Sequence, residues 1–133
     1  MITVLFRTES HYPVNRKKII ESVTEVLSKK VKSRTEVSIS IIGDRLMKKL
    51  NSTYRQKEYT TDVLSFPQND PSVAMSPFVE APDGILHLGD ILVSFPMAVK
   101  EAGEENKLVD DTIVGLVLHG LDHLLGIHHP EQN

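Results

Sequence analysis

Glu36-Val37-Ser38-Ile39-Ser40-Ile41-Ile42-Gly43 alternates β-branched apolar residues with short polar ones and stops at a glycine. A period of two puts Val37, Ile39 and Ile41 on one face and Ser38 and Ser40 on the other, which predicts a strand with one buried side. Just downstream, Asp44 is placed to cap a basic helix from Arg45 to about Tyr54, with Leu46, Met47 and Leu50 turned inward. Upstream, Ile2 to Arg7 reads as a second strand, and residues 14–31 carry Val14, Ile19, Ile20, Val23, Val26, Leu27 and Val31 near helical period. Beyond the basic helix, Thr61-Asp62-Val63-Leu64-Ser65-Phe66-Pro67 predicts a third strand closed by proline. Residues 68–87, with Pro71, Pro77, Pro82 and Gly84, read as a long loop of the kind that tends to be functional or mobile. A fourth strand follows over Leu88–Phe95, Pro96 opens a short helix to about Ala102, and a last helix runs from near Leu108 to Leu125. That last helix is apolar around most of its circumference and is expected to be central and buried. The order predicts an α+β fold: a small, mostly four-stranded sheet packed with helices, with residues 1–133 as a single domain.

The composition, 40% hydrophobic and 25% charged, is that of an ordinary globular chain able to bury a real core. With no cysteine, disulfides and thiolate-bound metals are excluded, so any zinc must be held by histidine or carboxylate. The apolar run at the N-terminus is too short for a signal peptide or a membrane span, which makes a cytoplasmic location the default expectation. A net charge of −3 hides a division. Residues 1–57 hold 13 basic and 5 acidic side chains, a balance of +8, whereas residues 58–133 hold 2 basic and 13 acidic, a balance of −11. Two solvated faces of opposite sign would account for this. So would a basic surface for a polyanion beside a cation-binding half.

The strongest functional signal is His119-Gly120-Leu121-Asp122-His123-Leu124-Leu125-Gly126-Ile127-His128-His129, which holds four of the six histidines. His119 and His123 are one helical turn apart and share a face. Gly126 is suited to the left-handed residue that ends a helix, after which the chain could bring His129 back to the other two. Three imidazoles and one vacant position form the layout of a catalytic zinc site. Burying two unpartnered imidazoles on an otherwise apolar helix would be costly, which favours a metal over a pair of core histidines. A structural zinc would need a fourth ligand, for which His128, Asp122 or the distant His87 are candidates. Gly120 stands where a zincin protease has its glutamate base, so peptide hydrolysis is disfavoured. Three imidazoles would also accept nickel, cobalt or copper.

The run His119-Gly120-x-x-His123-Leu124-x-Gly126-x-x-His129 resembles the signature of the YbeY family. Two further blocks resemble that family in its order and spacing: Leu50-Asn51, Tyr54-Arg55 and Thr61 to Pro67, then Leu88-Gly89-Asp90-Ile91. The resemblance implies a single-domain, zinc-dependent endoribonuclease with roles in ribosomal RNA maturation, including the 16S 3′ end, and in ribosome quality control. It implies one zinc ion on His119, His123 and His129, and an active-site role for Arg55, whose guanidinium can grip a phosphate bidentately. Asp62 is a candidate for orienting an imidazole N–H, with Ser65 and Asp90 weaker candidates for any role. The expected partners are single-stranded RNA and the small ribosomal subunit, with no DNA and no membrane.

The match has departures. His128 and Asp122 replace the family's usual aspartate and leucine, and Thr60 replaces a common proline. Asp122 lies about 60° round the helix from His119 and could flank the site. The chain stops four residues after His129, where a helical tail usually follows, an ending that would leave the site more open. Two other readings stand beside the ribonuclease. One is another metal-dependent hydrolase of atypical zincin-like kind; the other is a non-catalytic ribosome-associated factor with a structural zinc.

Overall fold

The computed structural model describes residues 1–55, 61–68 and 84–126. In chain order these form β1 (Ile2–Thr8), α1 (Arg16–Lys30), β2 (Arg34–Ile42), α2 (Asp44–Arg55), β3 (Val63–Pro67), β4 (Ile85–Ser94), α3 (Phe95–Glu105) and α4 (Val109–Leu124). The strands make one sheet in the order β1-β2-β4-β3. β1, β2 and β4 run parallel, while β3 is antiparallel to β4 and occupies an edge. The α+β expectation therefore holds, and the four expected strands are the four observed.

Alternation in β2 sends Val37, Ile39 and Ile41 into the core. There they meet Ile19, Val23 and Leu27 of α1 and Ile113, Val117 and Leu121 of α4, all of them fully buried. At about 1.5–3 kcal/mol per buried aliphatic side chain, this cluster supplies most of the driving force for the fold. The starts of the two helices are also tied: Asn15 N–H donates to Asp110 Oδ1 at 2.9 Å, and Lys18 Nζ pairs with Asp111. As expected, α4 is central, with β3, β4, α1 and α3 packed around it.

The opposite face of the sheet is served by α2, where Met47 joins Ile42 and Leu64, flanked by Leu46, Leu50, Phe66 and Leu92. Asp44 departs from the expected role. It is the first residue of α2 rather than its cap. The first backbone bond, Met47 N–H to Gly43 O at 3.1 Å, puts Gly43 in the capping position. The Asp44 carboxylate instead accepts a hydrogen bond from Ser94 Oγ at 3.1 Å. Ser94 also caps α3 by accepting from Met97 N–H at 3.2 Å, with proline in the first turn as anticipated.

β4 starts at Ile85, three residues before the expected Leu88, so Ile85, Leu86 and His87 belong to the sheet and not to the loop. The rest of the expected loop, residues 69–83, lies outside the described residues. The early start escapes a reading of alternation because β4 changes phase. Glu36 pairs with His87 and Val37 with Gly89, leaving Leu88 as a bulge. Before the bulge Leu86 and Leu88 face the core; after it Ile91 and Val93 do. Gly89 sits at φ +133°, and an added Cβ would come within 2.2 Å of Phe66 O, so the bulge requires glycine. Its consequence is that Asp90, which an unbroken alternation would bury, is exposed on the outer face. Among the described residues no helix is long and apolar enough to cross a membrane.

Candidate metal centre and active site

α4 carries His119 and His123 on the side that faces the edge strand β3. Their rings lie 4.5 Å apart between centroids, tilted by 58°. Both line a small cavity of about 190 Å³ together with Thr61, Asp62, Val63, Ser65 and Gly120. Its walls follow from β3's alternation. Val63 and Ser65 point toward α4, whereas Leu64 and Phe66 point toward α2.

Gly120 explains how the helix approaches closely enough. A Cβ there would stand 2.9 Å from Ile91 Cγ2 and 3.5 Å from Val63 Cγ2. Any larger side chain would push α4 off the sheet and open the cavity. A glutamate at this position would crowd Ile91, which adds to the missing carboxylate as an objection to a zincin arrangement. At the helix end, Gly126 has φ +80° and its N–H reaches His123 O at 3.1 Å. The expected glycine stop is thus present and turns the chain immediately after the second histidine.

His128 and His129 lie outside the described residues, as does the side chain of Arg55, which is the last residue of α2. Among the described residues no three His, Cys, Asp or Glu side chains group to hold a metal ion. His119 and His123 nevertheless fit a metal. They are two adjacent imidazoles opening on a largely polar cavity, with at least one more donor needed from outside the described residues. Asp62 lines this cavity; Asp122, half-buried on α4, is not among its lining residues. His87 is removed from the site. It lies on β4 beyond the last β3 pairing, Pro67 with Gly89, and its Nδ1 is 3.5 Å from Glu36 Oε1.

One residue was not foreseen. Asp62 also borders a second cavity of about 470 Å³, lined by Glu101, Glu105, Asp111, Thr112 and His119 among others. Burial pushes the Glu101 carboxyl up to about 7, helped by a side-chain hydrogen bond with Asp62 and by the charges of Asp62, Glu105 and Glu104. In its protonated form Glu101 can donate a hydrogen bond to Asp62, which lines both cavities. The only sequence signal was an acidic cluster, Glu101-Ala102-Gly103-Glu104-Glu105, on a short helix. Nothing in it indicated that α3 would bring Glu101 to Asp62.

A mixed sheet with an edge strand facing a histidine pair on a buried helix defines a class of small α+β protein built around one open donor site. The family model described as Endoribonuclease YbeY matches residues 5–133, and the chain belongs to the YbeY family. A Moorella thermoacetica protein named endoribonuclease YbeY is 34% identical over 126 residues, covering 91% of this chain and 80% of that protein. A Dehalococcoides mccartyi protein of the same name is 39% identical over 101 residues. That match covers 73% of this chain and 63% of the relative, so the chain matches less than two thirds of that protein's length. The solution structure of a Thermotoga maritima protein superposes with a TM-score of 0.61 at 24% identity, covering 95% of this chain and 74% of that one. This likeness speaks to the fold alone.

Proposed function

We propose that the chain is a zinc-dependent endoribonuclease that cleaves single-stranded RNA. Its proposed physiological substrate is ribosomal RNA, with processing of the 16S 3′ end and ribosome quality control as its roles, at the small subunit in the cytoplasm. The observation that carries the reading is the pair His119 and His123, 4.5 Å apart over a cavity walled by Asp62 and Ser65. Membership of a family described as endoribonucleases supports the reaction class.

His119 and His123 would hold the ion, with His129 as third ligand. When bound, it supplies Lewis-acid polarisation of a phosphoryl oxygen. The protein's own groups do the rest. Close packing of Gly120 on Ile91 fixes the two imidazoles relative to β3. Ser65, on the cavity wall, offers a hydroxyl to a phosphate oxygen. Glu101 in its protonated form would donate a hydrogen bond to Asp62 on the cavity wall. Arg55 would bind the phosphate undergoing cleavage and offset charge that develops on it.

The test is elemental analysis of the purified protein together with cleavage of single-stranded RNA, duplex RNA and single-stranded DNA, with and without chelator. One zinc per chain and chelator-sensitive cleavage of single-stranded RNA are expected. Cleavage of a peptide substrate alone would overturn the reading in favour of another metallohydrolase. Bound zinc without any cleavage would favour the ribosome-associated binding factor.

A further inference from the structure

On the outer face of the sheet, behind the histidine site, a groove of about 400 Å³ is lined by Ser40, Leu50, Tyr54, Phe66, Asp90 and Leu92. Neither the metal centre nor the proposed cleavage uses it. Its construction is specific. Asp90 pairs directly with Phe66 across β4 and β3, so both side chains stand on the same face. Tyr54, from the last turn of α2, meets Phe66 edge to face with ring centroids 5.3 Å apart. It remains 65% exposed, which leaves much of an aromatic ring in solvent at the lip of an apolar groove. Asp90 makes no hydrogen bond or ion pair with any described residue, so its carboxylate is an available acceptor on the groove floor.

The surroundings select the kind of molecule that fits. Arg45, Lys48 and Lys49 line a separate depression on the solvent side of α2, about half a turn round the helix from Leu50 and Tyr54, and none of them pairs with a described carboxylate. Arg7 stands on β1 opposite Ser40, which lines the groove. Arg7 beside the groove and a basic outer side on its helix suit a polyanion. A carboxylate floor, however, repels phosphate and accepts only hydrogen-bond donors. A ring to stack on, a carboxylate for donors and cations on the elements that border the groove together match a nucleotide whose base enters and whose phosphates stay outside.

We propose that this groove is a nucleobase subsite for single-stranded RNA, in which Tyr54 stacks the base, Asp90 reads its Watson–Crick edge with guanine preferred, and Arg7 and the basic outer side of α2 attract the flanking phosphates. Guanine is favoured because its N1–H and N2 amine present adjacent donors to the two carboxylate oxygens, a bidentate match. Uracil offers one donor between two acceptors, which the carboxylate repels. The inference rests on the ribonuclease reading and deepens it by giving the enzyme a sequence preference. β3 separates the groove from the histidines, so the bound base lies across the edge strand from the cleaved bond.

The test uses the full chain with His119→Ala, so that RNA is not consumed, and fluorescein-labelled hexauridylates carrying one central guanosine, inosine, adenosine or uridine. Fluorescence anisotropy should show the guanosine oligomer binding about tenfold tighter than the uridine one, with inosine losing most of the difference. Tyr54→Leu keeps apolar contact with Phe66 but removes stacking, and should weaken every oligomer by about tenfold. Asp90→Asn should erase the preference for guanosine, weakening the guanosine oligomer while the uridine one binds no less tightly. Equal affinity for all four oligomers, or no effect of Tyr54→Leu in a folded variant, overturns the subsite. So does an arginine-rich peptide whose binding Asp90→Asn abolishes while RNA binding is untouched, since the groove would then receive a basic protein segment. Cleavage by the wild-type chain is scored separately. Cleavage without base selectivity removes the subsite alone, whereas selective binding without cleavage removes the proposed function and keeps the subsite.

Discussion

The two sides of strand β3 make different kinds of surface from five residues. Toward α4, Val63 and Ser65 close a small polar cavity around His119 and His123, beside the largest buried cluster in the protein. Toward α2, Leu64 and Phe66 meet a single basic helix, and the groove between Tyr54 and Asp90 stays open. Alternation alone divides the strand this way, but the packing behind each face determines what it can do. Helices α1, α3 and α4 brace the first face, so its imidazoles are held in fixed geometry, as chemistry requires. Among the described residues the second face has fewer neighbours and room for a ligand to settle.

The largest expected effect tests whether the α4 side is chemical or structural. His119→Ala and His123→Ala should each lower RNA cleavage by more than about a hundredfold, since loss of even an outer partner of a metal ligand typically costs about 10–100-fold. Circular-dichroism melting should move little, because the apolar core is untouched. Variants that unfold at ordinary temperature would make the ion a structural one and dissolve the distinction between the faces.

Next in size is the difference in packing. Leu121 is fully buried, and Leu121→Ala should cost about 2–5 kcal/mol in urea denaturation. Leu50, half-buried at the open groove, should cost under about 1.5 kcal/mol when changed to alanine, because less of it leaves water on folding. Similar losses at the two sites would mean that the α2 side is as tightly braced as the α4 side.

Much of this arrangement was legible in the sequence. The α+β order, the four strands, the central last helix, Gly126 as its stop and the shared face of His119 and His123 all follow from local periodicity and glycine chemistry. What was missed depends on partners distant in the chain. Asp44 reads as a cap because nothing local reveals Ser94, and Glu101 carries no local signal because only tertiary packing brings it to Asp62. The start of β4 was misplaced for a different reason: the bulge at Leu88 shifts its alternation by one residue, so no single period fits the whole strand. His129 and the Arg55 side chain fall outside the described residues, and their roles rest on the motif.

A smaller pair of effects sharpens the contrast within α4 itself. At Gly120 an added methyl would press on Ile91, which is fully buried and branched at Cβ and so cannot swing aside. Gly120→Ala should destabilise by about 1–3 kcal/mol from overpacking, less what helix propensity returns. At Gly115 no described residue lies within 4 Å of the place a methyl would take, so Gly115→Ala should stabilise by up to about 1 kcal/mol. Thermal melts of the two variants should shift in opposite directions. A shift upward in both would show that α4 is not pressed against the sheet.

The smallest expected effect concerns pH, and it separates the faces by their titratable groups. Glu101 holds its proton up to about 7 against an ordinary 4.5, chiefly through burial and secondarily through Asp62. The folded state therefore binds this proton more tightly than the unfolded chain does. The stability it contributes is complete below about 4.5, declines as pH rises through the interval and is gone above about 7. Glu101→Gln keeps a donor for Asp62 but cannot ionise, so it should remove this decline. The variant should gain on the wild type as pH rises from about 4.5 to 7, and the difference should level off above that. Taking the difference between the two proteins cancels the contribution of the groups they share. Lys48→Gln, on the α2 side, serves as the control: it leaves Glu101 in place, so its difference from wild type should stay flat over the same interval. If Glu101→Gln is equally flat, the carboxyl is ionised in the folded protein at neutral pH, and the wall between the two cavities carries two negative charges and no shared proton.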